Sequence, residues 1–397
     1  MSNRLQSLDF LRGSCIIWML FQHFTLWLAN GNALPLLNLI VNIFDGFGSG
    51  AFLFVSGVGI SLSHRRKMEK VTKKKTIIYK KLRLKYFLKA FLLLIVSFGF
   101  NLFIYFVVSN MDVTVIWIWF ILQTLPISMI FAWPLLNINK YYKILSAIIS
   151  LVLYQLLIIL LFPFKAQYNH PLFILQFILF NGEHLSPFLG FFPFFIIGAF
   201  FGDIIYENLN IQTKNKSNSS VFTQKIISLL IIGISLIIAA ILFIPPGIIS
   251  GTSFMFSLRS ISWLIYSVGV LITAYSLLLI IENSKVFKIQ KKFRFIYYFS
   301  YYSLSIFLLH YIFDIFFAPF FEIWLVLIFW GVIVLGVGLG LKGIHKVIGK
   351  HFSLKYHLGK VTNLIAKYIY KDGTATSSIN LQRIPVITPS KSQKKLI

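Results

Sequence analysis

Apolar runs of about 20 residues recur along the chain, separated by short polar or basic stretches, and each is long enough to cross a bilayer as a helix. The pattern predicts ten spans, at 8–29, 36–63, 87–109, 115–136, 143–163, 186–206, 225–245, 258–281, 295–318 and 321–342. The second run is interrupted by Asp45-Gly46-Phe47-Gly48-Ser49-Gly50, which predicts a helix break or a close helix approach. The run Pro171–Phe180 is too short to cross and reads as an outer interfacial or re-entrant piece leading into Asn181-Gly182-Glu183-His184. The predicted fold class is therefore all-α, a polytopic membrane helix bundle.

The charges orient these spans. With alternate loops assigned to the two sides, the inner segments receive 12 Lys/Arg between 64 and 89, two near 140–143, three in 203–225, five in 285–294 and 11 from Lys342 onward. With Arg4 and Arg12 that places 35 of 37 on one side, leaving Lys165 and Arg259. By the positive-inside rule both termini are cytoplasmic, and a missed span would scramble every later loop. The first run lacks a small-residue cleavage site and reads as a retained helix of the cell membrane. Residues 1–342 form the membrane domain, 343–371 a basic amphipathic cytoplasmic segment suited to the inner leaflet, and 372–397 a disordered basic tail rich in Ser, Thr, Lys and Pro.

Composition removes several alternatives. At 58% hydrophobic residues and a mean hydropathy of +0.82, the chain is too apolar for a soluble enzyme of 397 residues. A net charge of +26 invites a nucleic-acid reading, but its confinement to one side of the spans points to the bilayer instead. A single cysteine, Cys15, provides for neither an intrachain disulfide nor a Cys-based metal site, so no metal is expected.

Candidate chemistry lies where ionisable groups enter apolar helices, because such groups are costly there and normally face a cavity or a partner. In Arg4-Leu5-Gln6-Ser7-Leu8-Asp9-Phe10-Leu11-Arg12-Gly13 and the run to His23, Arg12 and His23 fall about 20° apart on one helix face and roughly 16 Å apart along the axis. Arg12 could equally snorkel to lipid phosphates or pair with Asp9. Asp45 reaches a depth comparable with His23, and could equally cap the helix break. His310 and Asp314 stand one turn apart in the ninth span, as a catalytic or a mutually satisfied pair. Arg65, Arg66 and Lys67 begin the basic loop after the second span, which fixes topology and would attract a polyphosphorylated cofactor. Glu183, His184 and Arg259 are the sparse polar candidates on the outer side. No Gly-rich phosphate loop, nucleophile elbow, HExxH or CxxC pattern accompanies them.

The opening Leu8-Asp9-Phe10-Leu11-Arg12-Gly13, followed by His23, resembles the start of the transmembrane acyltransferase superfamily. Its nearest branch is the heparan-alpha-glucosaminide N-acetyltransferase catalytic-domain family, itself related to the acyltransferase-three family. Three further stretches are similar to that branch: Ala51 through Ser63 with the basic residues after it; Phe188 through Gly202, with Pro193, Gly198 and Gly202; and Ser303 through His310. Pro193 is followed by Phe194 where the family has Trp, and residues 30–35 contain no His where the lysosomal branch places its acyl-accepting one. A covalent acyl-histidine mechanism is therefore not carried over.

The resemblance implies an enzyme that transfers an acetyl or other acyl group from cytoplasmic acyl-CoA to a hydroxyl or amine of a sugar, glycolipid or polysaccharide on the far side. Arg12, Arg65, Arg66 and Lys67 would hold the donor. Neutral His23 would act as base, with Asp45 or the His310–Asp314 pair orienting it. Glu183, His184 and Arg259 would meet the acceptor. The bilayer, acyl-CoA and acceptor are the expected partners, nucleic acid is not, and a homodimer is left open. The rival is a proton-coupled transporter or a lipid or glycan export protein without acyl-transfer chemistry; no inverted repeat with paired broken helices supports a transporter.

Overall fold

The computed structural model describes residues 5–28, 37, 40–41, 43–69, 71, 77–107, 109, 111–165, 167–181, 185–214, 219–242, 260–283, 294–312 and 322–370. Among these every regular element is helical: α1 (Gln6–Leu28), α2 (Ser49–Met68), α3 (Ile77–Val107), α4 (Ile121–Leu136), α5 (Lys140–Leu161), α6 (Pro171–Phe180), α7 (Phe188–Lys214), α8 (Ser219–Leu242), α9 (Ile261–Asn283), α10 (Arg294–Tyr301), α11 (Ser303–Leu309), α12 (Ile323–Val347) and α13 (Leu354–Ile369). Among the described residues seven segments are long and apolar enough to cross a membrane: α3, α4 with the turn before it, α5, α7, α8, α9 and α12. The remaining predicted spans correspond to α1, to the interrupted stretch ending in α2, and to the α10–α11 pair. The chain is a membrane helix bundle.

The predicted interruption near Asp45 is a short 3₁₀ turn, Asp45–Phe47, placed against α9. A Cβ on Gly46 would lie 3.2 Å from the Ser267 backbone, so glycine lets the turn sit on that helix. The stretch read as one span from 295 is two helices that meet at Tyr302. The Tyr302 hydroxyl donates to Gly349 O (2.6 Å) and lies 2.9 Å from His345 Nδ1, so the break coincides with an anchor to the end of α12.

The centre of the bundle is the α2–α7 pair. A Cβ on Gly198 would stand 2.0 Å from Phe54 O, and one on Gly57 2.0 Å from Phe195 O, so these two backbones touch. Pro193 would break α7 in isolation because it removes the N–H that Leu189 O needs. Ser150 Oγ from α5 donates to that carbonyl at 2.7 Å, and the helix continues. α7 is consequently the most enclosed of the seven, 83% of its most apolar stretch being buried, whereas α8 is only 17% buried and lies outermost.

α1 is placed by both its ends. Glu282 at the end of α9 accepts from the backbone N–H groups of Gln6 (2.9 Å) and Ser7 (3.1 Å), satisfying donors that a helix start leaves open. Ser300 Oγ donates to Asp9 at 3.0 Å, and a Cβ on Gly13 would sit 2.4 Å from Ile296 O, so α10 lies directly on this first turn. Trp330 of α12 donates to Ile17 O further along. α1 is thus held between α2, α9, α10 and α12, with its His23 end directed at α11.

Candidate active site

α1 and α11 bring the two histidines together. The rings of His23 and His310 are 4.6 Å apart between centroids. Trp27, one turn beyond His23, lies 4.9 Å from it and 5.9 Å from His310, and Tyr311 lies 5.6 and 4.6 Å from the two imidazoles. Phe307, Phe100 and Phe120 form the next layer around Tyr311 and His310. Such an enclosure keeps bulk water from the imidazoles and strengthens any hydrogen bond they make.

The two rings differ in setting. His310 is 1% exposed and its Nδ1 is hydrogen-bonded to Phe307 O, one turn back. A carbonyl can only accept, so Nδ1 carries the hydrogen and Nε2 is the lone-pair nitrogen. That Nε2 is buried without a partner. His23 is half-buried and is the more exposed of the two imidazoles.

Arg12 lies on the same helix toward the opposite end. Gly59 of α2 makes room for it, since a Cβ there would stand 3.4 Å from Arg12 Nη2. The charges of Arg12 and Lys67 both act on Lys89 of α3, and those of Lys67, Lys81 and Lys367 act on Lys85. Cations from α1, α2, α3 and α13 therefore converge below the histidines. Among the described residues, Lys67, Lys85 and Lys89 make no ion pair with a carboxylate.

A third cluster ties the same end together. Asp203 of α7 is 1% exposed and accepts from Arg65 Nε (2.9 Å) and Nη2 (3.0 Å), Lys143 Nζ (2.5 Å) and Ser61 Oγ (2.7 Å). One carboxylate thereby meets two cations, and Lys143 is completely buried. Lys140 and Glu207 pair at 2.6 Å nearby, and His64 meets Asn137 at 3.1 Å. The network joins α2, α5 and α7 at the end where α2 delivers its basic residues.

The predicted residues fall into distinct places. His23 and His310 meet, and Arg12 and Lys67 approach the α3 lysines. Arg65 is bonded to Asp203, whereas Arg66 is exposed. Asp45 starts the 3₁₀ turn, and its side chain, with Asp314, Glu183, His184 and Arg259, lies outside the described residues. Lys85, Lys89, Lys143 and Asp203 were not anticipated. Asp203 and Lys89 did carry a signal, being ionisable groups within long apolar runs. Among the described residues no group of three or more His, Cys, Asp or Glu could hold a metal.

Comparison with known proteins gives one finding. The family model described as heparan-alpha-glucosaminide N-acetyltransferase, catalytic, matches residues 4–238, a stretch that includes Arg12, His23, the α3 lysines and Asp203. Nothing matches among curated proteins or solved structures.

Proposed function

The chain belongs to the heparan-alpha-glucosaminide N-acetyltransferase catalytic family, and from that premise we propose that it moves an acyl group from cytoplasmic acyl-CoA to an acceptor on the far side of the membrane. The observation that carries this reading is the meeting of His23 and His310 in one aromatic enclosure, with a convergence of cations at the other end of α1. The topology it uses is ten spans with both termini cytoplasmic, which puts those cations on the inner side.

The donor's phosphates bind at Arg12, Lys67, Lys85 and Lys89, with Arg66 at the approach. Arg65, held by Asp203, braces the end of α2 beside them. Arg12 and His23 are separated by roughly 16 Å along α1, a distance that an extended pantetheine arm covers, so the thioester arrives at the histidines. Bound acyl-CoA supplies the activated acyl carbon.

In this scheme His23 touches the acceptor, being the more exposed of the two imidazoles. As the acceptor oxygen or nitrogen bonds to the acyl carbon, its proton passes to His23, and the carbon–sulfur bond breaks to release the CoA thiolate. His310 stands behind. Its Nδ1–H is fixed on Phe307 O and its Nε2 is left without a partner, and in this scheme that nitrogen accepts the N–H of a protonated His23. This is the base-and-orienter logic of hydrolytic triads, with a backbone carbonyl at the far end. His310 is a positioning residue in this scheme.

Incubation of the purified protein with labelled acetyl-CoA tests the reading. Acceptor-dependent transfer of label supports it; binding without any transfer or hydrolysis, across a panel of sugar and amine acceptors, contradicts it.

A further inference from the structure

The last helix has one face on the protein and one face free. In α13 Leu358, Thr362 and Ala366, at i, i+4 and i+8, are buried, and the helix packs against α3 and α11. About 120° round it, Val361, Leu364 and Tyr368 form a second apolar stripe, exposed by 40, 57 and 80%. Lys360 and Lys367, both exposed, border that stripe on the side away from the packed face. The stretch from Lys342 to Lys371 holds seven lysines and no carboxylate.

The place of α13 in the bundle says what covers the free stripe. α12 is a membrane-crossing segment that ends at Val347, and the 3₁₀ turn Gly349–Phe352 leads straight from it into α13. α13 has 16 residues and is about 24 Å long. At its start the Leu354 N–H is held by Ser305, beside the end of α12. At its finish Lys367 is close enough to Lys85 for its charge to act there together with that of Lys67. Both ends belong to the cation-bearing end of the bundle, so α13 lies across that end and not along the spans. A helix so placed, with an apolar stripe bordered by lysines, sets the stripe among acyl chains and the ammonium groups on headgroup phosphates. A second copy would instead bring the same lysines against each other. The corner before α13 is also fastened to the helix that leads into His310. Ser305 Oγ donates to Phe352 O (2.9 Å) and accepts from Leu354 N (3.1 Å), and Tyr302 donates to Gly349 O.

We propose that α13 binds anionic lipid of the inner leaflet, with Lys360 and Lys367 on the headgroups and Val361, Leu364 and Tyr368 among the acyl chains, and that through Ser305 it holds α11 so that His310 stays on His23. The inference rests on the acyl-transfer reading and adds a lipid requirement to it. Docked on α3, α13 brings Lys367 toward Lys85 and Lys67, and like charges repel. Anionic headgroups offset that repulsion; a leaflet without net charge does not. α13 then leaves α3 more readily, and Ser305 loses both partners. Lipid shifts this balance only by its preference for the docked arrangement, where stripe and lysines meet the leaflet together.

The test uses the full chain in nanodiscs of phosphatidylcholine, alone or mixed with phosphatidylglycerol. Amide hydrogen exchange in α13 and α11 is read beside turnover at saturating labelled acetyl-CoA. With phosphatidylglycerol the wild type should exchange about tenfold more slowly in both helices, the scale set by two lysines at an anionic surface, and turn over faster. Lys360→Glu combined with Leu364→Gln, both at exposed positions outside the donor site, should lose the difference between lipids. Ser305→Ala should keep the slowing in α13, lose it in α11, and turn over at one rate in both lipids; either variant decides the matter if the other does not fold. Equal α13 exchange in the two lipids would overturn the lipid site, as would protection in phosphatidylcholine that needs two copies per disc or that soluble glycerol phosphate restores. An α11 response in Ser305→Ala equal to that of the wild type would overturn the link to His310. Absent turnover in every lipid, with the exchange results as expected, would instead bring down the acyl-transfer reading and leave the lipid-binding helix standing.

Discussion

His23 of α1 and His310, just past α11, place their imidazole rings 4.6 Å apart, although they come from opposite ends of the chain. Neither has a carboxylate partner among the described residues; the orienting group is a carbonyl, Phe307 O on His310 Nδ1. Accessibility separates their roles, since His23 is half-buried and His310 fully buried. A base that meets the acceptor and a base that steadies it should respond differently to mutation.

His310→Ala should lower kcat without weakening acetyl-CoA binding, and by less than the roughly 10²–10⁴-fold expected of the base itself. His310→Asn, which retains a short polar side chain, should recover part of the loss. Steady-state kinetics with separate kcat and KM provide the check. A change in donor affinity with kcat unaltered would place His310 outside the chemistry.

Asp203 has a consequence for stability. Asp203→Asn leaves Lys143 buried beside Arg65 without a counter-charge, and breaking a buried pair in this way costs about 3–5 kcal/mol. Thermal unfolding in detergent should show a large loss. Adding Lys143→Met to the same chain should recover part of it by removing the stranded cation. Equal melting of Asp203→Asn and wild type would mean that the network contributes nothing.

The glycines of the α2–α7 contact give a graded series. Gly198→Ala and Gly57→Ala each put a Cβ 2.0 Å from a carbonyl oxygen of the facing helix, so the helices must separate and the protein should melt lower. At Gly331 and Gly99 an added Cβ would meet nothing within 4 Å, and Ala there should be neutral or stabilising by up to about 1 kcal/mol. Comparable melting across the four variants would contradict the close approach.

How much of this was legible in the sequence depends on the range of each interaction. Runs of apolar residues and the Asp45–Gly50 interruption are local, and the helices follow them. Arg12 and His23 share one helix, so their separation follows from helix geometry alone. The convergence of His23 with His310, by contrast, is a tertiary contact that periodicity does not encode. The same holds for Asp203: Arg65, Lys143 and Asp203 come from three helices, and the sequence shows Lys143 only as one more inner charge. Ser305 carries little signal as one more small residue of an apolar run, and its hold on Phe352 and Leu354 depends on the chain returning to it after α12.

The donor site should behave as an electrostatic one. Lys89→Gln and Arg12→Ala should each raise the Kd for acetyl-CoA, with a smaller loss of turnover at saturating donor than any change at His23. Wild-type affinity should fall as salt rises, because the attraction acts between partly exposed charges. Titration of acetyl-CoA into wild type and variants at two salt concentrations checks both. Salt-independent affinity, or unchanged Kd in both variants, would place the donor elsewhere.

The account rests most heavily on His23, and His23→Gln tests it directly in an assay of labelled acetyl transfer at saturating acetyl-CoA. The side chain is uncharged and similar in length but cannot act as a base. Turnover should fall by at least about 10²-fold, while acetyl-CoA still binds at the cation cluster some 16 Å away. Near-normal turnover by His23→Gln would show that His23 is structural and would contradict the mechanism.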